Sequence, residues 1–368
     1  MIFYGLIALY ASLKAGIRLQ KMNDMNKLGT GKYVGLIAMA GMMLLLTACN
    51  EQKKPLKISG MTMGTTYHIV IVPNGGSDKG HLLKQEIDHL LTSLNREMSI
   101  FVRESEISRF NVSDSTDWMP VSAGFLQVVQ GSLDISQRSE GFFDVTIGPL
   151  IDLWGFGKKS SERIPSEAEL VAVDAFIGYR KIKTRGIPRA IRKDTAKLRM
   201  NLASIAKGYG VDRVSTYLEG KGFLNFLVEI GGEVRVKGTK FGQKWRIGVV
   251  TPDTLNEYHN VVNLTDISMA TSGDYFNYFE KNGKRYSHTI DPSTRKPITH
   301  KLASVTVAHP SCMYADGYAT AINVMGPEKG YAFAVKEKLP IYMIIRDRKA
   351  ETFSVKMTPS FRQFFKKK

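Results

Sequence analysis

The chain has 368 residues, 43% of them hydrophobic and 23% charged, with a formal net charge of +17. This is ordinary globular composition, long enough to bury a core as one large domain or two closely joined ones. Residues 1–48 hold five basic residues and one acid, so the rest of the chain sets 46 basic against 33 acidic residues, a balance of +13. Such a balance suits a polyanionic ligand or a membrane surface, and equally a plain solvated basic face. Nucleic acid is not expected, because no basic stripe is interleaved with aromatics.

Residues 1–48 read as a leader. An apolar run, 34–46, follows Lys27 and Lys32 and leads into Thr47-Ala48-Cys49. The pattern resembles a bacterial lipoprotein signal with Cys49 as the lipidated residue. The run is shorter than the ~20 residues of a spanning helix, although an uncleaved anchor helix would use the same stretch. Residues 2–11 form a second apolar piece, and a start at Met22 or Met25 would give the leader normal proportions. The expected location is periplasmic and lipid-anchored, at the inner membrane. Asn50 stands where an Asp would mark inner-membrane retention, so the choice of membrane stays open. With Cys49 lipidated, Cys312 is the only other cysteine and no intrachain disulfide forms.

Residues 49–57 are polar and read as a tether. The spacing then predicts a strand over 65–72, closed by Pro73-Asn74-Gly75-Gly76. A helix is expected over 81–98, with Leu82, Leu83, Ile87, Leu90, Leu91 and Leu94 in helical register. A loop over 99–111 turns into a short helix near Ser105, and a longer helix over 121–140 ends at Gly141. Segment 141–157 is rich in Gly and aromatics without a clean period, as in a loop that walls a ligand. Further elements are a capped helix start at Pro165-Ser166-Glu167 and two short strands in 191–202 turning at Lys193-Asp194. A helix over 204–221 stops at Gly222. Next come a buried strand over 223–236 interrupted at Gly231-Gly232, and strands over 245–250, 267–270 and 302–308. A helix carries Asp316 near its start, and a closing helix and strand cover 331–336 and 341–345. Strands and helices mix throughout, so the class is α/β or α+β.

Two places carry chemistry. Asp316 and Thr320 lie one helical turn apart near a helix start, a pairing of oxygens that suits a hard cation and a phosphate. The same pair would also serve as a first-turn acid and a buried helix Thr. His288 and Asp291 precede Pro292 and fit either a site or a turn. The run Asn201 to Gly208 passes from a strand end into a helix, where free N–H groups attract phosphate and Lys207 reaches forward; an ordinary joint with a surface Lys reads the same way. No Walker loop, zinc cluster, GxSxG elbow or GxGxxG turn is present.

Taken together, several short motifs resemble the ApbE family of FAD:protein FMN transferases. They are Met61-Thr62-Met63-Gly64-Thr65, Ser105-Glu106-Ile107-Ser108-Arg109-Phe110-Asn111, and Phe143-Asp144-Val145-Thr146-Ile147-Gly148-Pro149-Leu150 with Trp154-Gly155-Phe156-Gly157. In order follow Ile205-Ala206-Lys207-Gly208-Tyr209, Glu229-Ile230-Gly231-Gly232-Glu233, Thr271-Ser272-Gly273-Asp274-Tyr275, His288-Thr289-Ile290-Asp291-Pro292, and Ala315-Asp316-Gly317-Tyr318-Ala319-Thr320-Ala321. The resemblance spans 58–346 and leaves 347–368 as a C-terminal segment with a basic tail. It implies mixed sheets with packed helices and an FAD site in a cleft between sub-domains. It also implies a Mg²⁺-dependent transfer of FMN from FAD to a threonine of an acceptor protein, with release of AMP. Known acceptors of the family are subunits of the sodium-pumping NADH:quinone reductase and of Rnf-type complexes.

By motif position, the resemblance makes Ser204 (through its carbonyl), Asp316 and Thr320 the Mg²⁺ ligands and His288 the base, with Asp316 also catalytic. It places Met63, Phe101, Phe142, Phe143, Asp144, Asn201, Lys207 and Ile290 against FAD. Three positions depart from the family pattern: Asn201 replaces a common Asp, Phe101 a frequent Tyr, and Arg295 a frequent Gly. FAD hydrolysis to FMN and AMP, or non-catalytic FAD binding, are the competing readings.

Overall fold

The structure, a computed structural model, describes residues 54–72, 80–157, 163–252, 254–273, 278–281, 284–347 and 352–365. The leader, Cys49 and the Asp274-Tyr275 end of one motif lie outside the described residues. The chain order begins β1 (Leu56–Thr62), β2 (Thr65–Ile71), α1 (Gly80–Met98), α2 (Glu106–Val112), β3 (Met119–Pro120), α3 (Ala123–Arg138), α4 (Gly148–Leu153) and α5 (Glu167–Ala172). Then come β4 (Ile182–Gly186), β5 (Arg189–Lys193), α6 (Ala203–Gly220), β6 (Phe226–Ile230), β7 (Glu233–Lys237), β8 (Trp245–Thr251), β9 (Thr254–Leu264) and β10 (Ile267–Gly273). The last elements are β11 (Tyr278–Lys281), β12 (Lys284–Ser287), β13 (Ile290–Asp291), β14 (Lys296–Pro297), β15 (Leu302–His309), α7 (Cys312–Lys336), β16 (Ile341–Asp347) and β17 (Thr352–Met357).

The frame is one eight-stranded sheet in the order β1-β2-β6-β7-β10-β15-β16-β17, with every ladder antiparallel. Of the two classes expected, this is α+β. Period-two alternation sorts the side chains between its faces. On β16, Ile341 and Met343 join the core under the helices, while Tyr342 and Ile344 join the core on the other face. Helices α1, α3, α6 and α7 supply the first core, through residues such as Ile87, Phe125, Val214 and Ile322. The β8–β9 hairpin and the C-terminal turn at Phe361 and Phe364 cover the second. β15 is therefore buried on both faces, with Ser304 and Thr306 buried among its apolar residues, so it shows no alternation of apolar and charged positions.

Several sequence expectations hold closely. α1, α3 and α6 fall where their apolar period put them, and Ser105, Ser122 and Ser166 each cap a helix with the side-chain oxygen. Others differ. The hairpin expected to turn at Lys193-Asp194 instead turns at Ile187-Pro188, with β4 paired to β5. Lys193 is buried, its ammonium donating to the carbonyls of Phe110 and Leu198 at 3.0 and 3.2 Å, so it belongs to a strand. Gly231-Gly232 does not interrupt a strand but turns β6 back as β7. β1 starts at Leu56, inside the stretch read as tether, because β2 recruits it as an edge strand. The C-terminal segment adds β17 to the sheet beyond Ile345.

The feature that places the functional residues is the contact of α6 with α7. Gly208 sits where a Cβ would lie 2.3 Å from the Cys312 carbonyl oxygen, so only glycine allows this approach. One turn on, Asp212 caps α7. Its carboxylate accepts from the Cys312 and Met313 N–H groups at 3.0 Å each, from the Ser311 hydroxyl at 2.6 Å and from Arg235 at 2.9 Å. Replacing Asp212→Ala orphans these donors. We expect it to lower unfolding stability by about 2–4 kcal/mol, read as a lower urea midpoint. Ser311→Ala, which removes the cap bond from the Tyr314 N–H and the hydroxyl bond to Asp212, should cost about 1–2 kcal/mol.

Candidate active site

A cavity of about 1200 Å³ opens beside the α6–α7 contact. That exceeds the ~300–1,000 Å³ of common small-molecule sites and is suited to an extended ligand. Its walls come from segment 142–157, the start of α6, the β6–β7 turn, the β8–β9 hairpin, the end of β10, residues 288–290 and the stretch of α7 that carries Asp316, Thr320 and Val324. Ten of the sequence-derived candidates meet there: Phe142, Phe143, Asp144, Asn201, Ser204, Lys207, His288, Ile290, Asp316 and Thr320. Met63 and Phe101 do not line it. Met63 has a left-handed backbone, φ 50°, and packs toward Gly210 of α6. Phe101 is 76% exposed on the loop before α2.

Lys207 lies in the second turn of α6, not the first, and its ammonium pairs with Glu233 at 2.7 Å. Glu233 opens β7 directly after the Gly231-Gly232 turn and is buried. Gly231 has φ 57°, and a Cβ there would meet Thr65 at 2.7 Å and the Lys207 stem at 3.3 Å, so the turn leaves room for the lysine. Asp316, also buried, accepts the Gly208 N–H at 3.0 Å through one carboxylate oxygen. Burial opposes the charge on Lys207, but the Glu233 and Asp316 carboxylates outweigh it and hold the ammonium protonated above the usual lysine range. Burial pushes the Glu233 carboxyl up to about 8, opposed by Lys207 and reinforced by Asp316. Burial also raises Asp316, against the pull of Lys207 and the Gly208 N–H. Sequence reasoning placed Glu233 in a motif without a role. Its signal was an acid after a Gly-Gly turn in an otherwise apolar hairpin.

Among the described residues no group of three His, Cys, Asp or Glu forms a metal cluster. Any cation held here would use the free Asp316 oxygen, the Thr320 hydroxyl one turn on and backbone oxygen from the α6 start. All are hard donors and too few to close a shell alone, which fits Mg²⁺ shared with ligand oxygens and excludes a soft or all-protein site.

Other candidates work within the scaffold. Asp144 uses its carboxylate to accept from the Thr146 N–H and hydroxyl at 2.8 and 2.6 Å and from the Tyr179 N–H at 2.8 Å. It thereby fixes the loop that carries Phe142 and Phe143. The Asn201 side-chain oxygen accepts the Ala203 N–H at 2.9 Å and satisfies one donor at the α6 start. His288 stands edge-on to Phe156 at 6.5 Å. Phe156 continues through Phe279 and Tyr286 to Trp154 at centroid spacings of 5.4, 5.0 and 5.7 Å, an aromatic wall beside the histidine. Arg295, with φ 63°, gives its carbonyl to the Trp154 indole N–H at 2.8 Å. Left-handed backbone at this position accounts for the glycine frequent in the family motif.

The ApbE family model matches residues 63–344. The chain is 41% identical over 335 residues to the FAD:protein FMN transferase of Vibrio cholerae, covering 90% of this chain and 99% of that protein. It is 41% identical over 323 residues to the FAD:protein FMN transferase of Haemophilus influenzae, covering 85% and 92%. Among solved structures, the flavin transferase ApbE from Vibrio cholerae superposes with a TM-score of 0.78 at 40% identity, over 85% of this chain and 99% of that one. The apo form of Pseudomonas stutzeri flavinyl transferase ApbE gives 0.79 at 36% identity, over 86% and 98%. With the fold, the motif order and the cavity in agreement with these relatives, the chain belongs to the ApbE family.

Proposed function

We propose that this protein is an FAD:protein FMN transferase that moves FMN from FAD to a threonine hydroxyl of an acceptor protein, with Mg²⁺ and with AMP as leaving group. The observation that carries the reading is the meeting of Lys207, Ser204, Asp316, Thr320 and His288 around one cavity. In the reaction the acceptor Thr oxygen bonds to the FMN-side phosphorus, the bond from that phosphorus to the AMP oxygen breaks, and a ring nitrogen of His288 takes the hydroxyl proton. Lys207 faces the diphosphate as a permanent cation. Phe142, Phe143 and Ile290 give the rings of FAD an apolar wall.

The charge around Lys207 supports the metal. Glu233, protonated below about 8, and Asp316 flank a single ammonium that Asp316 already balances, so a diphosphate entering here would bring negative charge that Lys207 alone does not compensate. A divalent cation at Asp316 and Thr320 supplies the neutralisation that lets an oxygen nucleophile approach. The acceptor is proposed to be a subunit of a membrane redox complex of the sodium-pumping NADH:quinone reductase or Rnf type. The enzyme reaches it from the periplasmic face through a lipid on Cys49.

Two outcomes are expected. Mixed with FAD, Mg²⁺ and an acceptor domain, the protein should add one FMN mass to the acceptor; free FMN with an unmodified acceptor would instead mark a pyrophosphatase. Asp316→Ala should abolish transfer in a folded protein, and His288→Asn should slow it about 10²–10⁴-fold. The buried carboxylates give a second test. Glu233 binds its proton more tightly folded than unfolded, about 8 against an ordinary 4.5. Stability is therefore lost as pH rises from about 5 to about 8. Lys207 stays protonated in both states across that window and adds no slope. Glu233→Gln should flatten much of the fall in urea midpoint, leaving the part due to Asp316. An equal slope in the variant would show that the burial cost of Glu233 is not what sets it.

A further inference from the structure

The small sheet β3-β5-β4 stands apart from the cavity and concentrates the positive charge of the chain. Residues 180–199 hold nine Lys or Arg and one acid, Asp194. Its inner face carries Ile182 and Ile191 into the main core. Lys183 lies directly opposite Arg192 on the paired strands. Like charges opposed across a strand pair destabilise a sheet, and the two residues are exposed without an intervening acid strand.

The cations here are held by aromatic rings more than by acids. Arg185 and Arg192 lie over the Trp118 ring at 4.7 and 5.3 Å, Arg180 over Tyr179 at 5.3 Å and Lys197 over Phe176 at 5.0 Å. None of these four, nor Arg189, has an ion pair with a described acid, whereas Lys183 approaches Asp194 at 3.8 Å and Arg199 pairs with Asp152 at 3.1 Å. Asp114 and Asp117, just before β3, and Asp174, which pairs with Arg295, are the other acids close in sequence and leave the patch positive. At the hairpin tip Ile187 is 93% exposed, between Arg185 and Arg189.

We propose that this hairpin docks on an anionic phospholipid surface, with Ile187 entering the headgroup–acyl boundary and with Arg185 and Arg192 of the outer face and Arg189, exposed beside the turn, meeting lipid phosphates. A single apolar tip ringed by cations, beside a tryptophan, matches the chemistry of that boundary. A protein partner would need an apolar core within roughly 800 Å² on each side, and one isoleucine does not supply it. The docking is independent of a lipid on Cys49 and would orient an already tethered domain.

The test uses the full chain carrying Ile187→Cys labelled with bimane, with the signal of the unsubstituted chain subtracted. The label is read with vesicles of phosphatidylcholine and with vesicles of phosphatidylcholine and phosphatidylglycerol. Expected are a blue shift and protection from iodide on the anionic vesicles only, reversed by high salt. Arg185→Gln, Arg189→Gln and Arg192→Gln together should weaken the effect about 100-fold, at about fivefold per cation, while FMN transfer to a soluble acceptor domain stays unchanged and a cooperative urea transition shows the variant folded. Equal iodide quenching on both vesicle types would overturn the proposal, as would full protection in the triple variant. Protection that appears only on adding an acceptor protein would also overturn it, and would assign the face to that protein instead.

Discussion

The α6–α7 crossing is the constraint on which the site depends. Gly208 and Asp212 lie one turn apart on the same face of α6. The first lets the α7 backbone touch, and the second holds the three residues that begin α7. With the start of α7 fixed, Asp316 has one orientation, toward the Gly208 N–H and the cavity. Lys207 is the residue next to Gly208, so the cation and the carboxylate that share the site are set by the same contact. The sheet then brings Glu233 to Lys207 through a turn that only small residues permit. A shift of either helix would move the ammonium and the oxygens together.

The buried pair of Lys207 and Glu233 is a poor way to gain stability. Removing both charges from water costs several kcal/mol per ion, and Asp316 adds a second carboxylate within the same burial. Two apolar residues of similar volume would serve the fold as well. The cluster makes sense as a charge arrangement completed by a ligand: a fixed cation, two acids and an unfinished set of hard oxygens. This is the usual trade between a stable interior and a preorganised site.

How much of this was legible depended on whether side chains followed their local character. α6 was readable because apolar residues recur at helical spacing, and Asp316 and Thr320 because four residues is about one turn. The helix start at Asp316 and the closing helix over 331–336 are one element, Cys312–Lys336, kinked at Gly326, and its all-round burial leaves no apolar stripe to read. The β4–β5 hairpin was misread because its polarity is inverted. Lys193 is buried on carbonyl groups where a charged residue normally marks a turn, and Ile187 is exposed at the turn where an isoleucine normally marks a strand. Glu233 and the Asp212 cap act across about 25 and 100 residues of sequence, respectively, and no local period reports such contacts. Gly231-Gly232 was seen, but as a break, since a turn and an interruption use the same residues.

The charge balance changes meaning once it is placed in space. A domain at +13 facing a polyanionic substrate invites the conclusion that the substrate explains the charge. The cavity does not support it: Asp144, Glu229, Glu233 and Asp316 line it against Lys207 and Arg246. Locally the wall is acidic, and an anion entering it depends on a companion cation more than on the protein's own field. The positive excess sits instead on residues 180–199, on the far side of the helices that the inner face of β4 and β5 covers. The proposed metal and the proposed lipid contact thus draw on separate parts of one sequence, an acidic cleft and a basic outer face. Net charge alone could not have divided them, because the sum is blind to which residues share a wall.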